Sequence, residues 1–226
     1  IDVIGVNDLY NKIQDITRTY QGGYLNNDEF NRAVNHAQKH LFSFLLEDSN
    51  VDRYTDTSLD PFKEETLISK SSGVYEKPDD FAALREIAVK WILPTGKTEY
   101  RPAYPIENLG MTMTSAIRNP TTKAFGYTFD TDFTLYPDKN VQILLKYFRN
   151  PVAAERKVTY AGDSSEVYTS TGTVNLEWNE ADESIVLDLT LYYAAITTSM
   201  PDLINWVQSK NAFIPSKNRD YITRRL

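Results

Sequence analysis

The residues best suited to chemistry are the two histidines of the chain, His36 and His40. They lie four positions apart, so on a helix they share one face, and this spacing can hold zinc. A metalloprotease helix would carry its general-base glutamate directly after the first histidine, where this chain has Ala37. No third ligand is evident, and the chain contains no cysteine. We therefore interpret both histidines as packing residues beside an apolar stripe and expect no metal.

The segment Gly96–Lys97–Thr98 has the end of a phosphate-binding loop. That loop needs a glycine five residues before its second glycine, and this chain has Trp91 there. A helix must follow, to aim its N–H groups at the phosphate, but Pro102 lies in the segment that follows, which suits a strand. The pattern therefore indicates a hairpin turn at 94–97 and no nucleotide cofactor.

Aspartates occur in two groups that could bind a cation. Asp52, Asp56 and Asp60 lack the alternate spacing and central glycine of a calcium loop. Asp130 and Asp132 are spaced better but lack the downstream bidentate glutamate. Both groups are typical of turns and solvated charge. A serine–histidine–acid triad has no Gly-x-Ser-x-Gly elbow here, whereas a glycosidase carboxylate pair stays open because such pairs meet only in three dimensions.

Helical patterns occupy both ends of the chain. After Asn7, apolar residues recur at three- and four-residue spacing, which predicts a first helix ending at Gly22–Gly23. A second helix is predicted from Asn26 or Asn27, and the short connection favours a helical hairpin. A long helix is predicted after Asn179, and a further short helix is predicted from Pro201.

The middle of the chain favours strands. Alternating apolar residues over 141–147 predict a half-buried strand, and 124–129 and 134–136 predict two more. Residues 84–93 favour a strand that returns over 100–104. Residues 155–174 are rich in Ser, Thr and Gly and indicate a loop with an exposed hairpin.

These elements predict an α+β fold, in which a helical bundle from the N- and C-terminal regions carries a β-rich inserted domain and an extended C-terminal tail. The predicted boundaries are a helical hairpin over 1–60, a β-rich insert over 61–175, helices over 176–211 and a tail over 212–226. No apolar run approaches the roughly 18 residues needed to cross a bilayer, so no membrane segment is expected.

Charge is distributed unevenly along the chain. The net charge is −7 over 226 residues, yet residues 210–226 hold five basic residues and one acidic residue. The preceding 209 residues therefore carry −11, which argues against a general nucleic-acid binder, because phosphate neutralisation needs a surplus of Lys and Arg. The chain is an acidic body with a basic tail.

Several motifs, in order, resemble the head-to-tail connector, or ring, proteins of short-tailed bacteriophages, especially the crAss-like phages of gut Bacteroidetes. The resemblance rests on their order and spacing over most of residues 6–210. The motifs are Leu25–Asn31 at the start of the second helix, Tyr75–Phe81, Asn119–Thr122, Leu135–Pro137, Leu145–Pro151, and Leu176–Asn179 before the long helix. The family's usual Leu-Pro before a double aspartate is Lys77–Pro78 here.

The resemblance implies a structural virion protein without catalysis or cofactor. It implies a helical bundle with a β domain, assembled as a closed ring, usually twelvefold, beneath the portal protein and beside other tail or neck proteins. DNA would pass through the ring without sequence-specific binding, and an acidic lining suits such a conduit. The location it implies is the head-to-tail interface of the virion, after synthesis in the host bacterial cytoplasm.

The resemblance also suggests a docking role for the C-terminal tail, on a neighbouring subunit or on the portal. Its apolar residues fit no helix or strand period well, so the tail is expected to order on a partner, while its basic residues could pair with acidic surface on neighbours. The candidate docking residues are Phe213, Ile214, Arg219, Tyr221, Ile222, Arg224, Arg225 and Leu226.

Two other functions remain open on the sequence. One is a different tail or neck component of the virion. The other is a glycan-binding or glycan-cleaving module, because the chain has 15 Tyr, 10 Phe and 3 Trp residues and many carboxylates. A glycan module would need a groove lined by aromatic side chains, whereas a connector would form a high-order ring.

Overall fold

The structure is a computed structural model that describes residues 3–21, 25–48, 55–106, 125–162, 165–199 and 201–210. The chain divides into two compact units, unit 1 with residues 1–61 and 151–226 and unit 2 with residues 62–150. The helices of unit 1 are α1 (Val6–Gln21), α2 (Asn27–Asp48), α3 (Thr55–Ser58), α4 (Glu183–Thr197) and α5 (Pro201–Lys210). Its strands are β7 (Glu155–Tyr160) and β8 (Glu166–Val174). The strands of unit 2 are β1 (Lys63–Ser69), β2 (Phe81–Ile92), β3 (Thr98–Pro105), β4 (Phe125–Phe129), β5 (Phe133–Tyr136) and β6 (Gln142–Arg149).

Helix α2 begins with a reciprocal cap. The side-chain Oδ1 of Asn26 accepts a hydrogen bond from the backbone N–H of Glu29 at 2.8 Å, and the Glu29 carboxylate accepts one from the Asn26 N–H at 3.0 Å. This capping box satisfies two donors that have no partner within the helix. The prediction that the second helix begins at Asn26 or Asn27 is confirmed.

The apolar stripes of the unit 1 helices meet in a common core. On α1, Leu9 and Ile13 are fully buried, and on α2, Phe30 and Val34 are fully buried. Helix α2 packs most extensively on α4, which in turn packs on α5. Trp178, immediately before the turn that leads into α4, is also fully buried. The three- and four-residue spacing seen in the sequence therefore corresponds to buried faces.

Strands β7 and β8 form a separate two-stranded antiparallel sheet in unit 1. Their register pairs Thr159 with Val167 and Lys157 with Thr169, and a bulge follows on β8. The hydroxyl of Thr173 accepts a hydrogen bond from the Lys157 N–H at 3.1 Å within the bulge, and Gly172 supplies the positive φ of 78° that the bend needs. Strands β7 and β8 thus pair as an antiparallel hairpin.

Unit 2 is built on a curled six-stranded sheet in the order β1-β6-β2-β3-β4-β5. All neighbours are antiparallel except β3 and β4, which run parallel. Alternate residues face a single apolar core, among them Ile87, Val89, Ile143 and Leu145, each at most 1% exposed. The period-two alternation of 141–147 and the strand over 84–93 are confirmed.

The predicted helical bundle with a β-rich insert is wrong. The main elements of the described residues are the six-stranded curled sheet and the two-stranded sheet, with few long helices beside them. A bundle requires helices that pack on one another along their lengths. Here one face of α2 instead binds extended backbone at residues 152–156, which leads into β7. The extended C-terminal tail of that prediction lies outside the described residues.

Helices α1 and α2, which were predicted to pair as a hairpin over 1–60, contact each other through a few side chains. They touch through Tyr10 and Phe30, whose rings meet edge to face at 5.1 Å, and through the Tyr10 hydroxyl, which donates to the Leu25 carbonyl at 3.2 Å. Helix α2 contacts α4 more extensively than it contacts α1. The predicted boundaries, 1–60, 61–175, 176–211 and 212–226, stay predictions.

Candidate functional site

The tail residues proposed for docking, from Phe213 to Leu226, lie outside the described residues. The other sequence-derived candidates can be placed. Pro94–Lys97 is a tight turn between β2 and β3, in which the Gly96 N–H donates to the Leu93 carbonyl and the Leu93 N–H donates to the Lys97 carbonyl, both at 2.9 Å. A strand follows it and not a helix. The interpretation as a hairpin turn is confirmed.

His36 and His40 both lie beside Tyr193 of α4. The Tyr193 hydroxyl is 2.9 Å from Nδ1 of His40, and the His36 ring is 5.5 Å from the Tyr193 ring. Burial lowers the pKa of His40 from 6.5, while the Glu47 carboxylate acts in the opposite direction. The Tyr193 hydroxyl and Nδ1 of His40 share this hydrogen bond, and the tautomer of the ring sets which of them donates. The pair thus joins α2 to α4, which fits the packing role.

The aspartate groups serve turns where they are described. Asp130 and Asp132 form the turn between β4 and β5, and the Asp132 side chain accepts a hydrogen bond from the Lys77 N–H at 3.3 Å. Asp60 is exposed and opens a 3-10 turn over Asp60–Phe62 after α3, Asp56 lies within α3, and Asp52 lies outside the described residues. Among the residues that the structure describes, no group of three or more His, Asp or Glu side chains is placed to hold a metal ion.

The most organised polar feature is a row of amides on α2, which we call the amide ladder: Asn27, Asn31, Asn35 and Gln38. Asn35 binds Ala154 twice, donating to its carbonyl at 2.8 Å and accepting from its N–H at 2.9 Å. Asn31 binds Arg156 in the same way, at 3.1 and 2.9 Å. A side-chain amide offers the same donor and acceptor as a peptide group, so the ladder takes the place of a neighbouring strand.

The two ends of the ladder extend this pattern. Gln38 donates to the carbonyl of Val152 at 3.1 Å, and Asn27 donates to the carbonyl of Arg156 at 3.0 Å. The backbone positions bound are therefore 152, 154 and 156, which all point the same way along an extended chain. One side of the chain entering β7 is fixed by a helix.

Arg156 anchors the hairpin from its other side. Its side chain is only 5% exposed and donates to the side chains of Asn7 and Asn27, both at 3.0 Å. The guanidinium lies 3.8 Å from the centre of the Tyr10 ring, and Glu166 of β8 is 4.0 Å away. A buried cation is stable only with such partners. Arg156 thus ties β7 and β8 to α1 and α2.

A groove of about 800 Å³ lies beside this arginine, between α1 and the hairpin. Tyr10 and Arg156 line its buried side, Asp15 and Glu166 supply carboxylates, and Tyr160 is 68% exposed. The combination of an open aromatic ring and carboxylates can bind a polar ligand with an apolar face.

The hairpin presents an open edge. Among the described residues, β8 pairs with no strand other than β7. Val167 is 49% exposed, and Tyr160 and Tyr168 are exposed as well. Strand β8 carries one charged residue, Glu166 at its start, and contains neither lysine nor proline. An edge of this kind is a template for pairing with another chain.

Sequence reasoning missed Arg156 and the amide ladder. The ladder had a signal, since three asparagines and a glutamine recur on one face of a predicted helix, where asparagine is otherwise unfavourable. No sequence signal indicated the role of Arg156, because an arginine in a Ser/Thr-rich segment is usually solvated.

No protein-family model matches the chain, and no curated protein matches it significantly. None of the helices described is long and apolar enough to cross a membrane.

Proposed function

We propose that this chain is a non-catalytic structural virion protein, the ring-forming head-to-tail connector of a short-tailed, crAss-like bacteriophage. The observation that carries the proposal is the β7–β8 hairpin, which is anchored firmly and yet has an open edge. The buried Arg156 and the amide ladder hold it, while Val167 and Tyr168 stay exposed. A firmly held open edge is suited to binding another subunit by strand addition.

The contrast with β1 supports an assembly role for β8. Strand β1 is an edge of the six-stranded sheet and begins with Lys63, Glu64 and Glu65. Charges of this kind keep an edge strand from pairing with other chains. Strand β8 carries no charge after Glu166, and its bulge lies at its far end, so the segment from Val167 to Thr169 is without comparable protection.

A closed ring requires a heterologous contact, in which the β8 edge meets a different surface of the neighbour. In the proposal, the tail from Phe213 to Leu226 docks on that neighbour or on the portal protein, and its basic residues face the acidic body. The acidic body in turn lines a conduit through which DNA passes without being held. The copy number expected from the resemblance is twelve.

The fold itself lends this proposal no support. The resemblance implied a helical bundle with a β domain, and the described residues depart from it. The proposal therefore rests on the ordered sequence motifs, the charge distribution and the open hairpin edge.

The test measures the mass of the full chain, alone and with the portal protein of the same phage, by mass photometry and negative-stain imaging. We expect closed rings, either alone or only on the portal. Val167→Lys places a charge on the hairpin edge and should abolish rings while the monomer stays folded. The matched control is Ile92→Lys, since Ile92 is 65% exposed and belongs neither to the hairpin nor to the residues that anchor it. It should leave rings intact.

A second variant tests the tail. Removal of residues 212–226 should leave the monomer folded and impair ring formation or portal binding, because the docking residues are lost. A ring that forms normally without the tail would refute its role. A wild-type chain that stays monomeric with and without portal would refute the connector. Binding to a tail or neck protein in place of the portal would identify the other virion component.

The groove beside Arg156 favours a second candidate, a glycan-binding module. Its exposed Tyr160 and the carboxylates of Asp15 and Glu166 provide the stacking surface and acceptors that a sugar needs. A glycan-array screen followed by Tyr160→Ala separates the two functions. Binding that disappears in the variant while no ring forms would favour the glycan module.

A further inference from the structure

The open edge of the hairpin has an uncharged stretch that directly follows a carboxylate. Strand β8 begins with Glu166, continues with Val167, Tyr168 and Thr169, and carries no further charge. The guanidinium of Arg156 is 4.0 Å from the Glu166 carboxylate and 5.5 Å from the centre of the Tyr168 ring, so these two side chains share one face of the strand. Val167 and Thr169 lie on the other face. A strand added to this edge meets a negative charge at one end of the stretch and no charge along it.

The C-terminal tail contains a sequence that complements this edge. Three consecutive residues of types enriched in strands are followed directly by a basic residue. These residues are Tyr221, Ile222 and Thr223, followed by Arg224. Helix α5 ends at Lys210, so residues 211–220 join it to this sequence. An extended linker of that length spans up to about 33 Å, which is about the diameter of a small domain, and therefore reaches an adjacent copy.

We propose that residues 221–226 of a neighbouring copy add to β8 as an antiparallel strand. The paired residues, from one end to the other, are Tyr221 with Thr169, Ile222 with Tyr168, Thr223 with Val167, and Arg224 with Glu166. This inference rests on the proposed ring and names the segment that closes it. The tail of each copy occupies the hairpin of the next copy, which is a heterologous contact by strand addition.

Glu166 has the capacity to accept the added guanidinium. Its carboxylate lies 4.0 Å from Arg156 and accepts a hydrogen bond from the Asn27 N–H at 3.5 Å. A carboxylate has two oxygens with about four acceptor sites in total, so Arg224 can bind as well. Because the positive charge of Arg156 stays close by, the added pair fixes the register of the strand more than it adds affinity.

Charge favours this direction and this register over the nearest alternatives. A parallel strand over the same three positions would bring Asp220 beside Glu166, two like charges. An antiparallel strand shifted by one residue would pair Arg225 with Glu166, but it would also place Arg224 opposite Val167 and turn every side chain of the tail to the other face. Of these three arrangements, the stated register alone keeps the uncharged stretch together with the opposite-charge pair.

The first test uses single cysteines, because the chain has none of its own. Full-length Val167→Cys and Thr223→Cys chains are mixed, with and without the portal protein, and oxidised. Opposite residues of an antiparallel pair have Cα atoms about 4.5–5.5 Å apart, which a disulfide can bridge. Non-reducing gels should show a linked pair of chains. The matched control replaces Thr223→Cys by Ile222→Cys, which lies on the other face, so its yield should be at least about tenfold lower.

The second test reverses the charge of the tail in the full chain. Arg224→Glu places like charges at Glu166, so the concentration at which rings form should rise at least about tenfold. Arg225→Glu makes the same charge change on the opposite face, and it should stay within about threefold of wild type. Neither change touches the hairpin or its anchor. Equal behaviour of the two variants would overturn the pairing of Arg224 with Glu166.

The outcomes separate this inference from the proposed function. Rings that form without crosslinking at Thr223 would overturn the strand addition and leave the connector standing. Crosslinking between chains that form no ring, with or without the portal, would uphold the strand addition and reject the connector. A chain with both cysteines that crosslinks only within itself would overturn the contact between copies. Crosslinking through Ile222 in place of Thr223 would reject the register.

Discussion

The two sheets of this protein are stabilised by different interactions. In unit 2, the six-stranded sheet closes over side chains such as Val89, Phe133 and Leu145, which are at most 1% exposed. In unit 1, the two-stranded sheet is held by polar groups, with Asn31 and Asn35 bound to the backbone and Arg156 buried among partners. An isolated two-stranded hairpin is only marginally stable in water. In unit 1, the buried Arg156 and the amide ladder therefore provide the stabilisation that the apolar core provides in unit 2.

The two kinds of stabilisation differ in how much change they tolerate and in how strictly they fix the register of a strand. An apolar core loses stability gradually as its volume falls, because its contacts have no direction. A ladder of amides fixes one register, since a shift by one residue would place the Ala154 and Arg156 carbonyls on the opposite side of the strand. The hairpin, whose open edge is proposed to meet a neighbour, is the element that most needs a fixed position.

The largest expected effect is loss of unit 2 when its core is emptied. Leu145 is fully buried in the centre of β6, so Leu145→Ala should lower the free energy of unfolding by about 2–5 kcal/mol, through lost burial and the remaining cavity. Leu67→Ala, on the adjacent strand but exposed, should cost less than about 1 kcal/mol. Hydrogen exchange of the β6 amides measures both, and equal losses would contradict the assignment of the core face.

A somewhat smaller effect is expected at the polar anchor. Arg156→Met keeps most of the side-chain volume but leaves the side-chain oxygens of Asn7 and Asn27 without this donor, so unit 1 should lose about 3 kcal/mol. Faster exchange should appear in residues 152–160 and leave β6 unchanged. The neighbouring Lys157→Met, at a half-exposed position, should cost less than about 0.5 kcal/mol. If both variants behave alike, burial of the arginine is not what holds the hairpin.

The same difference explains what could be predicted from the sequence. Strand β6 was predictable because apolar residues recur at every second position from Val141 to Tyr147, and α2 because Asn26 and Glu29 form a capping signature. Such signals are local. The anchor is not local, since Arg156 meets Asn7 across 149 residues of sequence. No spacing rule reports a contact of that kind.

The fold class was predicted wrongly for a related reason. Apolar stripes on α1 and α2 indicated that each helix buries a face but not which element covers it. The side chains of Asn31 and Asn35 bind the backbone of Arg156 and Ala154. This contact was not predicted, because amides on a helix are usually interpreted as solvent-facing. The candidate docking residues of the tail, from Phe213 onward, stay a prediction because they lie outside the described residues.

The smallest expected effect is a pH dependence at the joint between α2 and α4. The pKa of His40 is lowered by burial, with Glu47 acting against the shift, so the unfolded chain takes up this proton at a higher pH than the folded one. As pH falls from about 7.5 through 6.5 towards the folded pKa, the unfolded state is favoured, and the free energy of unfolding decreases. Well above pH 6.5, at about pH 7.5 and higher, both states are deprotonated and the contribution is fully present. His40→Gln should remove this part of the dependence, whereas His36→Gln keeps His40 and should retain it. Denaturant unfolding of the wild type and both variants at pH 8 and pH 5.5 measures the effect, and an unchanged dependence in His40→Gln would contradict it.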